Sequence, residues 1–244
     1  MHLSKNKEKI YYSLKQKSKR DENKLFIVEG VKICRELIQT DLFIEELLST
    51  SKNIDIFPDA TLISEKQANR ISNLKSNSGV FAIVRIPNKK YKINEENIIF
   101  CLDNISNPGN LGSIIRTLDW FGYTQVICSD TCVDVYNPKT IMASMASVFR
   151  IQTHYLDLYK FINEKKENRT IIGANLDGNS IYNSKIPDNS IIIFGNESRG
   201  ISQEILSLCH NNIKIPGKGK AESLNLSNSV AIIMAEIFRI KINI

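Results

Sequence analysis

Apolar residues along the chain fall into short unbroken runs separated by stretches with helical spacing. Leu25 to Val28, Ile44 to Leu48, Leu62-Ile63 and Gly79 to Val84 read as strands. Between them, Val31 to Ile38 carries a 3.6-residue period, and Ser64 caps a second helix that runs to Leu74. Ahead of this series Ile10, Tyr11 and Leu14 lie at helical spacing, which predicts one short amphipathic helix within residues 1–20. Residues 24–86 therefore read as a small α/β sandwich. The polar stretch 87–97, PNKKYKINEEN, reads as a linker.

A second alternating series follows. Strands are expected at Ile98–Leu102, Val126–Cys128, Ile151–Thr153, Thr170–Ala174, Ser190–Phe194 and Asn212–Ile215. Helices are expected from about Ile114 to Phe121, from Asn137-Pro138 through Val148, from Leu156 to Glu167 and from Ile201 to Cys209. A long last helix has a first turn crowded with Ser223, Asn225, Ser227, Asn228 and Ser229. Unbroken apolar strands alternating with helices predict a parallel sheet covered on both faces.

Polar loops follow three of these strands: Asn107 to Arg116, Gly195 to Gly200, and Gly217 to Asn225. Open α/β sheets hold their sites at the carboxyl ends of strands. Gly217 and Gly219 let main chain approach a ligand, and the Ser and Asn side chains suit a helix start, so the stretch reads either as a main-chain ligand cradle or as an ordinary loop before an over-capped helix. Arg116, flanked by Ile114, Ile115 and Leu118, reads as partly buried. It either contacts an anion or hydroxyl in a pocket or forms a salt bridge to Asp103 or Asp119. The dinucleotide fingerprint, the GxxxxGK[ST] loop and the GxSxG elbow are all missing. No histidine falls near the three loops, which argues against acid–base chemistry by imidazole.

Charge changes the picture by adding a partner. The formal net charge is +6 and the pI about 9.0, which suits a polyanion. Lys5, Lys7, Lys9, Lys15, Lys17, Lys19 and Arg20 crowd the first twenty residues beside Tyr11 and Tyr12. That combination fits RNA, with cations for phosphates and rings for bases, or else a solvated charged face. The five cysteines form no CxxC pair and read as reduced core residues of a cytosolic protein. Cys128, Cys132 and Cys209-His210 match no usual zinc spacing, so no metal is expected. Neither a signal peptide nor a bilayer-length apolar run is found, so no membrane is expected.

The ordered segments NPGNLGSIIRTLDWFG, IIIFGNESRGIS and IPGKGKAESLNLSNSVAIIMAE resemble the three motifs of the SpoU (TrmH-like) RNA ribose 2′-O-methyltransferases. That family belongs to the trefoil-knotted, S-adenosylmethionine-dependent superfamily. The resemblance spans roughly residues 98–244, and RDENKLFIVEGVKICREL is similar to the L30e-like RNA-binding domain of ribosomal-RNA members. It implies a 1–90 substrate-binding domain and a 97–244 methyltransferase domain with a deep knot. It further implies a homodimer and a cytoplasmic enzyme. Asn110 and Arg116 match the first motif, Glu197 the second, and Ser223 and Asn225 the third, so all five are implied catalytic residues. The cofactor is implied to lie on the main chain of Gly195, Ile215 and Leu224, with Ala174, Asn196, Gly217 and Asn225 completing its site. Ser198 replaces a frequent glycine, and Asn228-Ser229 a frequent Val-Ala.

The implied chemistry is attack of a ribose 2′-oxygen on the sulfonium methyl. Since guanidinium is not deprotonated in proteins, Arg116 is expected to bind a phosphate and the developing oxyanion. Glu197 or water would then take the proton. The L30e-like resemblance favours ribosomal over transfer RNA. Transfer-RNA methylation, base methylation and a catalytically inactive RNA-binding protein are the rival readings.

Overall fold

The computed structural model describes residues 3–88, 91–95 and 97–242. Its alternating elements assemble into two units: the described part of 1–90 together with 134–149, and the described part of 91–133 together with 150–244.

The first unit opens with helices α1 (Lys5–Ser13) and α2 (Lys17–Asn23), where one helix was expected. The chain turns between them because Arg20 points inward. Its guanidinium donates to the carbonyls of Leu14 (2.8 Å) and Lys15 (3.0 Å), and to Asp134 Oδ2 at 3.0 and 2.5 Å. Arg20 is therefore a core residue and not part of a basic face. Tyr11 is likewise buried, with its hydroxyl 2.5 Å from Glu46 Oε2. Burial and that carboxylate push its pKa up.

After β1 (Leu25–Glu29) come α3 (Val31–Ile38), β2 (Ile44–Ser49), β3 (Thr61–Leu62), α4 (Glu65–Ile71) and β4 (Val80–Arg85). They form a sheet of order β1-β4-β2-β3, antiparallel except for β2 and β3. Ser64 and Gln67 make a reciprocal capping box at the start of α4. The helix stops at Ile71, short of the expected Leu74, because Ser72 turns extended. The Ser72 hydroxyl donates to buried Glu29 at 2.6 Å. Ile27, Phe81 and Ile83 from the sheet pack with Leu14, Ala68 and Ile71 from the helices.

The second unit begins with β5 (Ile99–Leu102), α5 (Pro108–Trp120) and β6 (Gln125–Ser129). Residues 134–149 then join the first unit. They carry α6 (Pro138–Ser144), which ends where Met145 and Ala146 turn left-handed, φ 48° and 75°. Tyr136 of this segment stacks on Phe26 at 4.5 Å. The second unit resumes with β7 (Gln152–Leu156), α7 (Leu158–Lys165), β8 (Thr170–Ser180), β9 (Ser190–Phe194), α8 (Gln203–Leu206), β10 (Asn211–Lys214) and α9 (Leu226–Lys241).

Among the described residues the second sheet has six strands in the order β10-β8-β9-β5-β6-β7, every pairing parallel. Ile99, Cys101, Ile191 and Ile193 on one face pack against Leu158, Phe161 and Ile162 of α7 and against Ile205 of α8. Alternate strand residues turn the other way, where the Phe100 ring meets the edge of Tyr123 at 4.7 Å.

The strand expected at Thr170–Ala174 runs on through 175–178 as part of β8, yet β10 skips that stretch: Asn212 pairs with Gly173, and Ile213 with Asn179. At Gly178 a Cβ would stand 2.5 Å from the Asn212 carbonyl carbon, so the strands can meet there only at glycine. Of the expected linker, Lys89, Lys90 and Glu96 lie outside the described residues. Its last residues are bound into the second unit, with the Asn94 N–H donating to Gln125 Oε1 at 2.9 Å and Arg169 donating to the Asn97 carbonyl at 3.2 Å. Among the described residues, no helix is long and apolar enough to cross a membrane.

Candidate active site

The helix expected from about Ile114 starts earlier, so the stretch after β5 is loop only as far as Asn107. Pro108 opens α5, because its missing N–H costs nothing at a first helical position. Asn107 caps the helix, its Oδ1 accepting the N–H groups of Gly109 (2.8 Å) and Asn110 (3.3 Å). Asn110 therefore projects from the first turn of a rigid element. At the far end of the chain Asn225 caps α9, with its Oδ1 accepting from Ser227 N–H (3.0 Å) and Ser227 Oγ (2.7 Å).

These two asparagines meet. Asn225 Nδ2 donates to Asn110 Oδ1 at 3.1 Å, and Asn110 Nδ2 donates to Glu197 Oε1 at 2.9 Å. A continuous chain of donation thus runs from Ser227 through Asn225 and Asn110 to Glu197, tying together the three polar segments. Glu197 also receives the Asn107 N–H and the Ser106 hydroxyl, both at 3.4 Å. Partial burial pushes its pKa up. The Asn110 amide and nearby backbone N–H groups outweigh that and hold the carboxyl below its ordinary value.

The segment carrying Glu197 is itself a closed loop. Asn196 and Gly200 exchange backbone hydrogen bonds, both 2.9 Å. Asn196 Oδ1 accepts the N–H groups of Ser198 (2.9 Å) and Arg199 (3.2 Å), while its Nδ2 donates to the Asn104 carbonyl at 2.7 Å. Asn196, an expected cofactor residue, therefore has its side chain engaged in bracing the loop. At Gly195 a Cβ would stand 2.1 Å from the Gly200 carbonyl carbon and from Ile201 N, so no other residue fits.

Asn104 is a residue that the motifs did not single out. It sits in the left-handed region at φ 56°, with every polar group engaged. Its N–H goes to Ser129 Oγ (2.9 Å), its Nδ2 to Asp103 (2.7 Å), and its Oδ1 accepts from Thr131. Buried Asp103 in turn accepts the Ser202 N–H at 2.7 Å. The only local clue was the Asp-Asn pair after a strand, a common turn signal.

Arg116 departs from expectation. It is exposed, not partly buried, and has no side-chain partner among the described residues. Both candidate partners are taken: Asp103 as above, and Asp119 by Arg150 at 2.7 Å. Ser223, Leu224, Gly217 and Ile215 lie outside the hydrogen-bonded network, on the segment leading into α9, and all but Ile215 are exposed. Ala174 begins the stretch of β8 that β10 skips. Among the described residues the main-chain groups of 217–223 have no intrachain hydrogen-bond partner, and a Cβ at Gly217 or Gly219 would meet nothing within 4 Å. This stretch thus presents open, unpaired backbone beside the network. Among the described residues no group of three or more metal-ligating side chains gathers.

Known proteins resemble this chain in sequence and in fold. Residues 97–235 match the model of the SpoU rRNA Methylase family, and residues 5–82 that of the MRM3-like substrate binding domain. The 23S rRNA (guanosine(2553)-2'-O)-methyltransferase RlmP of Bacillus subtilis (strain 168) is 26% identical over 93% of this chain and 94% of its own. A putative RNA methyltransferase of the TrmH family from Porphyromonas gingivalis superposes with a TM-score of 0.85 at 29% identity, covering 97% of this chain and 98% of its own. The AdoMet-bound rRNA methyltransferase of Sinorhizobium meliloti has the same fold, with a TM-score of 0.85 at 24% identity over 99% and 97% of the two chains. With its family model matched from strand β5 into helix α9, the chain belongs to the SpoU rRNA methylase family.

Proposed function

We propose that this protein is an S-adenosylmethionine-dependent methyltransferase acting on a ribose 2′-hydroxyl of ribosomal RNA. The observation that carries the reading is the hydrogen-bond chain from Ser227 to Glu197, which joins the three motif segments at one place. Similarity to a full-length 23S rRNA 2′-O-methyltransferase supports the substrate class.

The residues present fit the cofactor. Unpaired main-chain groups at 217–223 suit an adenine edge, open space over Gly217 and Gly219 admits it, and an ionised Glu197 suits a nearby sulfonium charge. Gly195, Ile215, Leu224, Ala174, Asn196, Gly217 and Asn225 would surround it. When bound, the cofactor supplies a methyl group already activated by positive charge.

The protein contributes alignment. Asn110 and Asn225, each fixed through both amide groups, and Ser223 would orient the ribose. Arg116, a cation with no side-chain partner among the described residues, would hold the adjoining phosphate and the developing oxyanion. Of the two expected proton acceptors, Glu197 and water, this reading favours water and takes Glu197 as a brace, because its oxygens accept from three donors and its pKa is lowered. The proton then leaves to water.

The same reading includes the deep knot, a cytoplasmic location and a homodimer. The dimer is supported by apolar surface on the α5 and α9 side: Trp120 is 84% exposed, and the next residue, Phe121, has its ring centroid 5.4 Å from that of exposed Phe238, the two rings tilted at 49°. Residues 1–90 form the substrate-binding domain and 97–244 the catalytic one, with 134–149 folded into the former unit.

Calorimetric titration with S-adenosylmethionine, then radiolabelled methyl transfer to total ribosomal and transfer RNA, tests the reading. Binding with alkali-resistant label in 23S rRNA is the expected result. Label in transfer RNA would move the substrate, alkali-labile label would mean base methylation, and no cofactor binding would overturn the enzyme.

The Glu197 assignment has its own test. A depressed carboxyl pKa lowers the free energy of the folded protein above the ordinary value, about 4.3, and that contribution fades only as pH falls through the depressed one. Between pH 5.5 and 8 the rate should therefore show no carboxylate inflection. Glu197→Gln should slow methyl transfer by about tenfold to a hundredfold without moving the profile, since a charged hydrogen bond is worth about 1.5–3 kcal/mol. An inflection near neutrality that vanished in Glu197→Gln would return the proton to this residue.

A further inference from the structure

We infer that Tyr12, Lys15 and Arg70 form a seat for one unpaired nucleotide of the RNA substrate, its base on the tyrosine ring and its phosphate on the cations. The inference rests on the proposed function and assigns part of its substrate recognition to named side chains.

Two adjacent tyrosines open the chain, and the structure gives them opposite fates. Tyr11 is 3% exposed and hydrogen-bonded to Glu46, which fixes the rotation of α1 about its axis. One residue on, about 100° around the helix, Tyr12 is turned outward and is 47% exposed. Two cations from different parts of the unit converge on its ring. Lys15 Nζ lies 4.7 Å from the ring centroid and Arg70 Cζ 5.9 Å from it.

Lys15 is held there. Its ammonium donates to the carbonyls of Ser72 (2.7 Å) and Arg70 (3.2 Å), so it cannot swing into solvent like an ordinary surface lysine. Both acceptors are neutral carbonyls; the one carboxylate acting on it, buried Glu29, is itself engaged by the Ser72 hydroxyl and the Asn73 N–H, so part of the lysine's charge remains for an anion. Arg70 pairs with Glu8 at 2.9 Å and supplies a partly neutralised cation. A further carboxylate near α1, Glu46, is engaged by Lys7, Tyr11 and Thr61. Exposed Lys5 and Lys9 lie seven and three residues before Tyr12, on the same helical face. They extend positive charge about 10 Å along it.

An exposed ring beside fixed positive charge complements a splayed nucleotide. A base-paired one hides its faces in the stack, so double-stranded RNA would meet the lysines but not the ring.

The test uses the full chain, 23S rRNA and a short single-stranded RNA. Tyr12→Ala should raise the KM for rRNA roughly tenfold to a hundredfold, the usual worth of one base–aromatic stack, with kcat and the melting temperature unchanged. Tyr12→Phe should behave as wild type, because the ring and not the hydroxyl does the stacking, while Tyr12→Leu should stay impaired. Lys15→Gln should weaken binding across sequences and reduce the salt slope by about one. A wild-type KM in Tyr12→Ala, or full rescue by Tyr12→Leu, would overturn the seat. If the wild-type chain methylates no ribosomal RNA, the proposed function fails instead. Binding of the Tyr12 variants to the single-stranded RNA then decides the seat alone, equal affinity refuting it.

Discussion

Arg116→Ala is expected to slow methyl transfer by about 10²–10³ at saturating RNA and S-adenosylmethionine, leaving cofactor affinity unchanged. The argument starts from exposure. Arg116 is on the surface of α5 and has no carboxylate partner among the described residues. Asp103 and Asp119, its nearest candidates along the chain, are committed to Ser202 and Arg150. A cation with no structural duty can be removed at little cost to the fold, about 0.5 kcal/mol or less. Loss of rate without loss of melting temperature would therefore report on the reaction. Arg116→Lys separates charge from geometry. It keeps the positive charge but not the planar fork that grips two oxygens at once, and should recover only a small part of the rate. Single-turnover labelling with both variants measures this directly, and near-normal turnover by Arg116→Lys would exclude any need for the fork.

The parallel sheet was legible because its strands are buried on both faces and so read as unbroken apolar runs. Ser190–Phe194 and Ile99–Leu102 are such runs, and both lie in the middle of the sheet. The three polar segments were legible for a different reason: each must cap or leave an element, and only a few residue types do so.

What failed was direction and depth. Arg116 sits among apolar residues in sequence, yet a helix sends neighbours to different faces, and its own face is open. Arg20 looked like one more cation of a basic segment, but a buried arginine is identified only by its partner. Asp134 lies more than a hundred residues away, so no local pattern could reveal it. The same distance hid the membership of 134–149 in the first unit. Asn104 was invisible because its work is done by backbone and amide groups reaching Ser129, Thr131 and Asn196, contacts that exist only once the strands have paired.

Arg20 also yields the largest expected effect on stability. Arg20→Ala should lower the stability of the first unit by about 3–5 kcal/mol, seen as a fall in melting temperature on the order of 10 °C. The side chain is almost wholly buried and makes four hydrogen bonds, two to Asp134 and one each to the Leu14 and Lys15 carbonyls. Truncation removes all four donors together and leaves the Asp134 carboxylate without its cation in a poorly solvated place. Much of the loss is thus the cost of the abandoned acceptor and not the worth of the pair. A double variant distinguishes the two. Arg20→Met with Asp134→Leu fills similar volume and strands no charge, so it should melt well above Arg20→Ala, though below wild type. The remaining deficit has named sources: the two carbonyls, and the Tyr136 N–H that Asp134 accepts at 3.0 Å. If Arg20→Ala melted within a degree of wild type, the pair would be an ornament of the surface. If the double variant melted as low as the single one, the stabilisation would come from the interaction itself and not from the avoidance of a stranded charge.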